Sequence, residues 1–118
     1  MPGSAGRGKR CPVVNLETGR PSVAEALAKL ERRIETERRK RTKVLKLIHG
    51  YGSSGKGGSL RDAVRRALPA LERQGLVRSH VAGEHFTKGS AIVRQFPWLA
   101  DDADVGRGNR GVTMVVLR

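Results

Sequence analysis

The chain has 118 residues, with 24 Lys and Arg against 11 Asp and Glu, so its formal net charge is +13. This length allows one domain with a modest core and leaves no room for a second domain. A fold does not require so large a charge excess, which indicates a polyanionic partner, most commonly nucleic acid. Cys11 is the single cysteine, so an internal disulfide and a cysteine-rich metal site are excluded.

No apolar run approaches the roughly 18 residues of a membrane span, and the first residues lack the hydrophobic stretch of a secretion signal. We therefore expect no membrane partner and a cytoplasmic location. Residues 1–11 are small, basic and rich in glycine. Such a composition is typical of a disordered tail, which would precede a single domain over residues 12–118.

The first half of the chain predicts a strand, a helix and a second strand. Residues 13–16 form the short first strand, and the spacing of Ser22 and Glu25 is that of a capping box, which opens a helix ending near Arg39. The apolar run Val44–Ile48 predicts the second strand, and this order of elements implies a parallel crossover. Residues 38–43 carry five positive charges. Both a phosphate contact and a solvated loop remain open for them.

The second half begins with a helix from about Ser59 to Gln74-Gly75, in which Pro69 is expected to cause a kink or to end the first part. Strands follow at Val77–Ala82 and Val112–Leu117. Between them lies a long excursion, residues 83–111, whose aromatic side chains would pin it to the core. The acidic cluster at residues 101–104 could bind a metal, but its composition favours an aspartate-rich turn. The predicted fold is an α/β two-layer sandwich, with about four strands in a mixed sheet, two main helices and the order β-α-β-α-β-β.

A glycine-rich loop joins the second strand to the second helix. Glycines let backbone N–H groups approach an anion, and the helix N-terminus adds its positive end at the same place. A second glycine loop, residues 106–111, adds two arginines, and Tyr51 either stacks on a base or is simply exposed. The predicted phosphate-binding residues are Gly50, Tyr51, Gly52, Ser53, Ser54, Gly55, Lys56, Gly57, Gly58, Arg61, Arg107 and Arg110.

Two nucleotide-binding motifs match this loop only in part. A dinucleotide site requires a carboxylate at the end of the next strand, whereas Glu72 lies within the second helix and the third strand ends without one. A Walker A loop requires Ser or Thr after its lysine to hold magnesium, and Gly57 stands there. We therefore expect no nucleotide cofactor.

Three segments together resemble the Smr (small MutS-related) domain family over about residues 13–118. They are His49-Gly50-x-Gly52, Leu60-Arg61-x-Ala63-Val64 and the closing Gly111-Val112-Thr113-x-Val115-Val116-Leu117. The resemblance implies a mixed α/β domain that binds DNA or RNA, here in its stand-alone form. It also implies that His49, Gly50 and Gly52 line the nucleic-acid site, with Arg61 opening the helix beside them.

The first strand departs from the family pattern. Family members normally end this strand with Asp-Leu-His-Gly, and the acid and the histidine of this motif are linked to cleavage. At the matching positions, the chain reads Asn15-Leu16-Glu17-Thr18-Gly19. Asn15 cannot act as a base, while Glu17 could take a proton or bind a metal.

Three hypotheses follow, and the first is nucleic-acid binding through the two glycine loops. The second is a nicking endonuclease of DNA repair or recombination that uses His49, Glu17 and Mg²⁺ or Mn²⁺. The alternative for His49 is that, at a strand end, it only bonds backbone carbonyls. The third is an RNA-binding scaffold on a ribosome or another ribonucleoprotein. The sequence leaves the choice between DNA and RNA open, and likewise the oligomeric state.

Overall fold

A computed structural model describes residues 9–51 and 57–118 of the chain. Its strands are β1 (Val13–Asn15), β2 (Val44–Ile48), β3 (Val77–Ala82) and β4 (Val112–Leu117). Its α-helices are α1 (Val23–Arg39), α2 (Gly57–Arg73) and α3 (Ala91–Gln95), and 3₁₀ turns span Gly83–His85 and Pro97–Asp101. Within these two described ranges, no helix has the length and apolar character needed to cross a membrane.

The four strands form one mixed sheet, as predicted, and their order across the sheet is β1-β2-β4-β3. The pair β1 and β2 is parallel, and β4 runs antiparallel to both of its neighbours, β2 and β3. The last residues of β1, β2 and β3 therefore lie at the same end of the sheet as the first residue of β4. We call this the loop end, because both glycine loops begin or finish there.

Alternation along the strands gives the sheet two apolar faces. One face packs against α1 and α2, with Leu45, Leu47 and Val115 of the strands meeting Leu30, Ile34, Val64 and Leu68 of the helices. The other face packs against the excursion between β3 and β4, with Val44, Met114 and Val116 meeting Phe86, Ile92, Val93 and Leu99. Phe96 and Trp98 are partly buried on this second cluster, which confirms that the aromatic residues attach the excursion to the core.

Helix α1 begins with the predicted capping box. The Glu25 N–H donates to Ser22 Oγ at 3.1 Å, and the Ser22 N–H donates to Glu25 Oε1 at 2.8 Å. Helix α2 begins at Gly57, two residues before the predicted start, and it does not end at Pro69. The lost backbone hydrogen bond at Pro69 is outweighed because Leu68 and Leu71, on either side of it, are both buried in the core.

The C-terminus of α1 is closed by a Schellman motif whose left-handed residue is an arginine. The Thr42 N–H donates to the Glu37 carbonyl at 3.0 Å, and the Arg41 N–H donates to the Arg38 carbonyl at 2.9 Å. Arg41 has a φ of +61°. Glycine is the usual residue at this position, because a Cβ is strained in the left-handed region.

Replacing Arg41 with Gly should therefore stabilise the domain by up to about 1 kcal/mol. We expect this because the strain relieved in the folded state exceeds the conformational entropy that glycine adds to the unfolded chain. Urea denaturation of both proteins measures this difference. The matched control is Arg32→Gly, in the interior of α1, which should cost about 1 kcal/mol. A loss of stability in Arg41→Gly would show that the arginine side chain makes contacts worth more than the strain.

Candidate functional site

The two glycine loops meet at the loop end of the sheet. The Gly111 carbonyl accepts hydrogen bonds from the N–H groups of His49, at 3.0 Å, and Gly50, at 3.1 Å. Gly50 has a φ of +74°. A Cβ on Gly111 would lie 3.4 Å from both the Gly50 Cα and the Tyr51 ring. Glycine at these two positions thus allows the first loop to touch the second.

Tyr51 and the second glycine loop line one surface depression. Its volume is about 460 Å³, and its lining residues are Tyr51, Arg107, Gly108, Asn109 and Arg110. Tyr51 is 54% exposed, an unusual degree for a large aromatic side chain. The structure therefore brings together three of the predicted site residues, an aromatic ring and two guanidinium groups.

The start of α2 supplies a further cation. Arg61 lies in the second turn of the helix with its side chain 26% exposed and its Nε 3.7 Å from Asp62 Oδ1. Its Nε is buried and has no hydrogen-bond partner among the described residues. Gly57 and Gly58, predicted as part of the loop, are instead the first two residues of α2. The remaining loop residues of the prediction, Gly52, Ser53, Ser54, Gly55 and Lys56, lie outside the described residues.

Glu17 reaches the first glycine loop from the end of β1. Asn15 forms the turn after this strand, its Oδ1 accepting from the Glu17 N–H at 2.9 Å. The Glu17 carboxylate then lies against Gly50, where a Cβ would overlap it. Since Glu17 is exposed, its carboxylate is available to a ligand.

His49 is completely buried beneath this surface. The Gly50 carbonyl can only accept, so His49 Nδ1–H donates to it at 2.7 Å. The other ring nitrogen, Nε2, then accepts from the Thr113 hydroxyl at 2.8 Å. Burial lowers the pKa of His49, and the charges of Arg65 and Arg61 lower it further. His49 is therefore a neutral imidazole with both nitrogens bonded to the protein.

Arg65 and Glu84 extend this buried chain of hydrogen bonds. Arg65 Nε donates to Thr113 Oγ1 at 3.3 Å, and the guanidinium makes a bidentate contact with Glu84, at 2.8 and 3.0 Å. Hydrogen bonds from Arg65 lower the pKa of Glu84 to about 2. β3 ends at Ala82, without a carboxylate as predicted, and Glu84 follows it by two residues. Arg65 occupies this carboxylate on both oxygens.

The acidic cluster on the opposite face of the sheet fixes the second glycine loop. Lys46 Nζ donates to Asp102 and Asp104, at 2.6 Å each. Asn109 Nδ2 donates to Asp104 at 2.9 Å, and Asn109 Oδ1 accepts from the Gly111 N–H at 2.8 Å. Burial opposes the charge of Lys46, but the two carboxylates outweigh it and raise its pKa. The aspartates thus serve to hold the loop.

These two networks contain residues that the sequence analysis did not select: Lys46, Arg65, Glu84, Asn109 and Thr113. One signal was available, since Lys46 interrupts an otherwise apolar strand and so needs a carboxylate partner. Residues 101–104 are the densest acidic cluster in the sequence. The pairing of Arg65 with Glu84 had no comparable signal, because exposed helical arginines are common.

A divalent cation would find few protein ligands here. No group of three or more His, Cys, Asp or Glu side chains comes together within residues 9–51 and 57–118. Magnesium, however, is often held by one or two carboxylates together with substrate phosphates. Glu17 is the exposed carboxylate placed to act in this way.

The depressed pKa of Glu84 predicts how stability changes with pH. Glu84→Gln should lose about 1–2 kcal/mol of unfolding free energy at neutral pH, because the bidentate ionic contact with Arg65 is lost. The pKa of Glu84 is lower in the folded than in the unfolded chain, so its ionised form stabilises the fold at pH values above 4.5. This stabilisation disappears as the pH falls toward 2. Thermal midpoints of the two proteins should therefore converge between these pH values. A difference in thermal midpoint that stays constant over this pH range would refute the lowered pKa of Glu84.

Comparison with known proteins places this geometry in a family. The family model for the Smr domain matches residues 19–94, which include the first glycine loop and exclude Glu17 and the second loop. The fold is similar to the crystal structure of the Smr domain of Thermus thermophilus MutS2, with a TM-score of 0.57 and 30% sequence identity over 91% of this chain and 98% of that one. A search of curated proteins finds no match. Since the family model spans more than half of the chain and the structural likeness spans nearly all of it, the chain belongs to the Smr domain family.

Proposed function

We propose that this domain binds nucleic acid at the loop end of the sheet. The observation that carries the proposal is the exposed Tyr51 beside Arg107 and Arg110, in a depression formed where the two glycine loops touch. Smr domains bind nucleic acids in general, and a net charge of +13 favours the same class of partner.

Each side chain has a distinct role in this proposal. Arg107 and Arg110 contact phosphates and hold the strand in position, while the Tyr51 ring stacks on a base or sugar. Arg61, with its buried Nε, adds a third cation at the start of α2. Since these contacts recognise phosphate and an aromatic face, the proposal applies to DNA and RNA alike.

The rigid placement of the second glycine loop supports this assignment. The Asn109 side chain donates to Asp104 and accepts from the Gly111 N–H. Asn109, which lies between Arg107 and Arg110, is therefore fixed by both of its amide atoms. Holding the backbone that carries the two arginines in place before binding lowers the entropy lost when a phosphate is bound.

Nicking of the bound strand is a second candidate, which the position of Glu17 favours. Its carboxylate is exposed and lies against Gly50, beside the proposed path of the backbone. Glu17 is the residue that would accept a proton or, with substrate phosphates, bind Mg²⁺ or Mn²⁺. His49 is buried and bonded on both ring nitrogens, so in this candidate its part is to position Gly50 and the loop.

The double variant Arg107→Ala with Arg110→Ala should weaken binding to a short duplex about tenfold or more, because two phosphate contacts are lost. The slope of log affinity against log salt should fall by about 2, roughly one unit per contact. Fluorescence anisotropy at several salt concentrations measures both quantities. The matched control is Arg66→Ala with Lys88→Ala, two exposed cations outside the depression, whose loss should have a much smaller effect. Equal losses in the two variants would contradict the proposal.

Incubation of supercoiled plasmid with the protein and Mg²⁺ or Mn²⁺ tests the second candidate. If the chain nicks DNA, Glu17→Gln should abolish nicking while leaving affinity and thermal stability nearly unchanged, since Glu17 is exposed. Loss of nicking in His49→Ala would not be diagnostic, because removing a buried, doubly bonded imidazole also destabilises the fold. Nicking that survives in Glu17→Gln would remove this carboxylate from the mechanism.

A further inference from the structure

A second concentration of positive charge lies at the opposite end of the sheet. We call it the basic end and define it as Arg38, Arg39, Arg41, Lys43 and Arg118. Backbone and side-chain hydrogen bonds bring these residues together: Arg38 Nε donates to the Arg118 carbonyl at 3.4 Å, and the Leu117 N–H donates to the Lys43 carbonyl at 2.9 Å. Arg38, Arg39 and Arg118 also line a second depression of about 400 Å³.

Little of this charge is neutralised. Within the described parts of the chain, the single ion pair made by these five residues joins Arg39 to Glu35 at 3.7 Å. That pair is largely exposed on both sides, so it contributes little and its arginine remains accessible. Arg41, Lys43 and Arg118 are exposed as well.

The fold does not need these cations at the helix end. Three of the last four carbonyls of α1, those of Thr36, Glu37 and Arg38, already accept N–H groups from residues 40, 42 and 41, at 3.3, 3.0 and 2.9 Å. Arg41 also occupies the left-handed position of this turn, where glycine fits without strain. The charge of Arg41 is therefore not required to close the helix, and it is exposed to a ligand.

The turn that carries these cations is held rigidly. Glu37 is only 2% exposed. Its carboxylate accepts from the Thr42 hydroxyl at 2.6 Å, and Thr42 in turn accepts from Arg10 at 2.6 Å. The backbone around Arg41 and Lys43 is therefore fixed before any ligand binds, as at the loop end.

The two surfaces are well separated. Residues 43–49 run through β2 at about 3.3 Å per residue, which places the basic end roughly 20 Å from the loop end. We propose that the basic end is a second phosphate-binding surface, so that one chain holds two segments of nucleic acid at once. This inference rests on the proposed function for the first segment, while the second segment depends on the basic end alone.

A titration with a duplex of ten base pairs tests this inference, with isothermal calorimetry and native mass spectrometry giving the number of duplexes per chain. The natural chain should bind two. The triple variant Arg39→Ala, Arg41→Gly and Lys43→Ala should bind one, through the loop end. Its fold should be preserved, because Arg41→Gly removes strain and the other two side chains are exposed. The control variant Arg32→Ala, Arg66→Ala and Lys88→Ala removes the same charge outside both surfaces and should still bind two.

A capture assay gives a second readout. One duplex is attached to beads, the protein is bound to it, and the retention of a second, dye-labelled duplex is measured. Retention should fall at least tenfold in the basic-end variant and remain in the control. One duplex per chain in the natural protein, or two in the basic-end variant, would overturn the inference. Failure of the proposed function would look different, because Arg107→Ala with Arg110→Ala would then leave both the first binding event and the retention unchanged.

Discussion

The contact between Gly111 and the His49–Gly50 backbone is the constraint on which the loop end depends. One carbonyl accepts two N–H groups, and a Cβ on Gly111 would already contact the Gly50 Cα and the Tyr51 ring. Each face of the sheet then reinforces this contact with a largely buried ionic network, Lys46 with Asp102 and Asp104 on one face and Arg65 with Glu84 on the other. Such networks are costly to break because a buried charge would be left unpaired. The loops are thereby held from both sides.

The sequence predicted the fold well, because local signals agreed with tertiary packing. The capping box at Ser22 and Glu25, the period of α1 and the apolar runs of β2 and β4 all point to the same arrangement. The two glycine loops were also predicted to form one site, and Tyr51, Arg107 and Arg110 are adjacent. Glycine-rich and basic segments could be recognised in the sequence because each pattern is confined to a few neighbouring residues.

Interactions between distant residues could not be predicted in the same way. Glu84 and Arg65 are separated by a helix end and a whole strand, and the packing of α2 against the sheet brings them together. The helix α2 was predicted to end at Gln74-Gly75, but the sequence could not decide whether Pro69 would interrupt it, because that depends on core packing rather than on propensity. The burial of His49 was missed for a related reason: its position at a strand end says nothing about Thr113, which arrives from the last strand.

The strand order has a consequence for how the molecule behaves in concentrated solution. In the part of the chain that the structure describes, β1 and β3 are the edge strands of the sheet, and an open edge is a template for pairing with another chain. β1 is three residues long, and β3 carries an irregularity between Val77 and Ser79, where the exposed Arg78 interrupts the register. A short edge and a bulged, charged edge both discourage intermolecular strand addition. Although its central strands β2 and β4 are almost wholly apolar, the sheet is thereby protected against fibrillar aggregation.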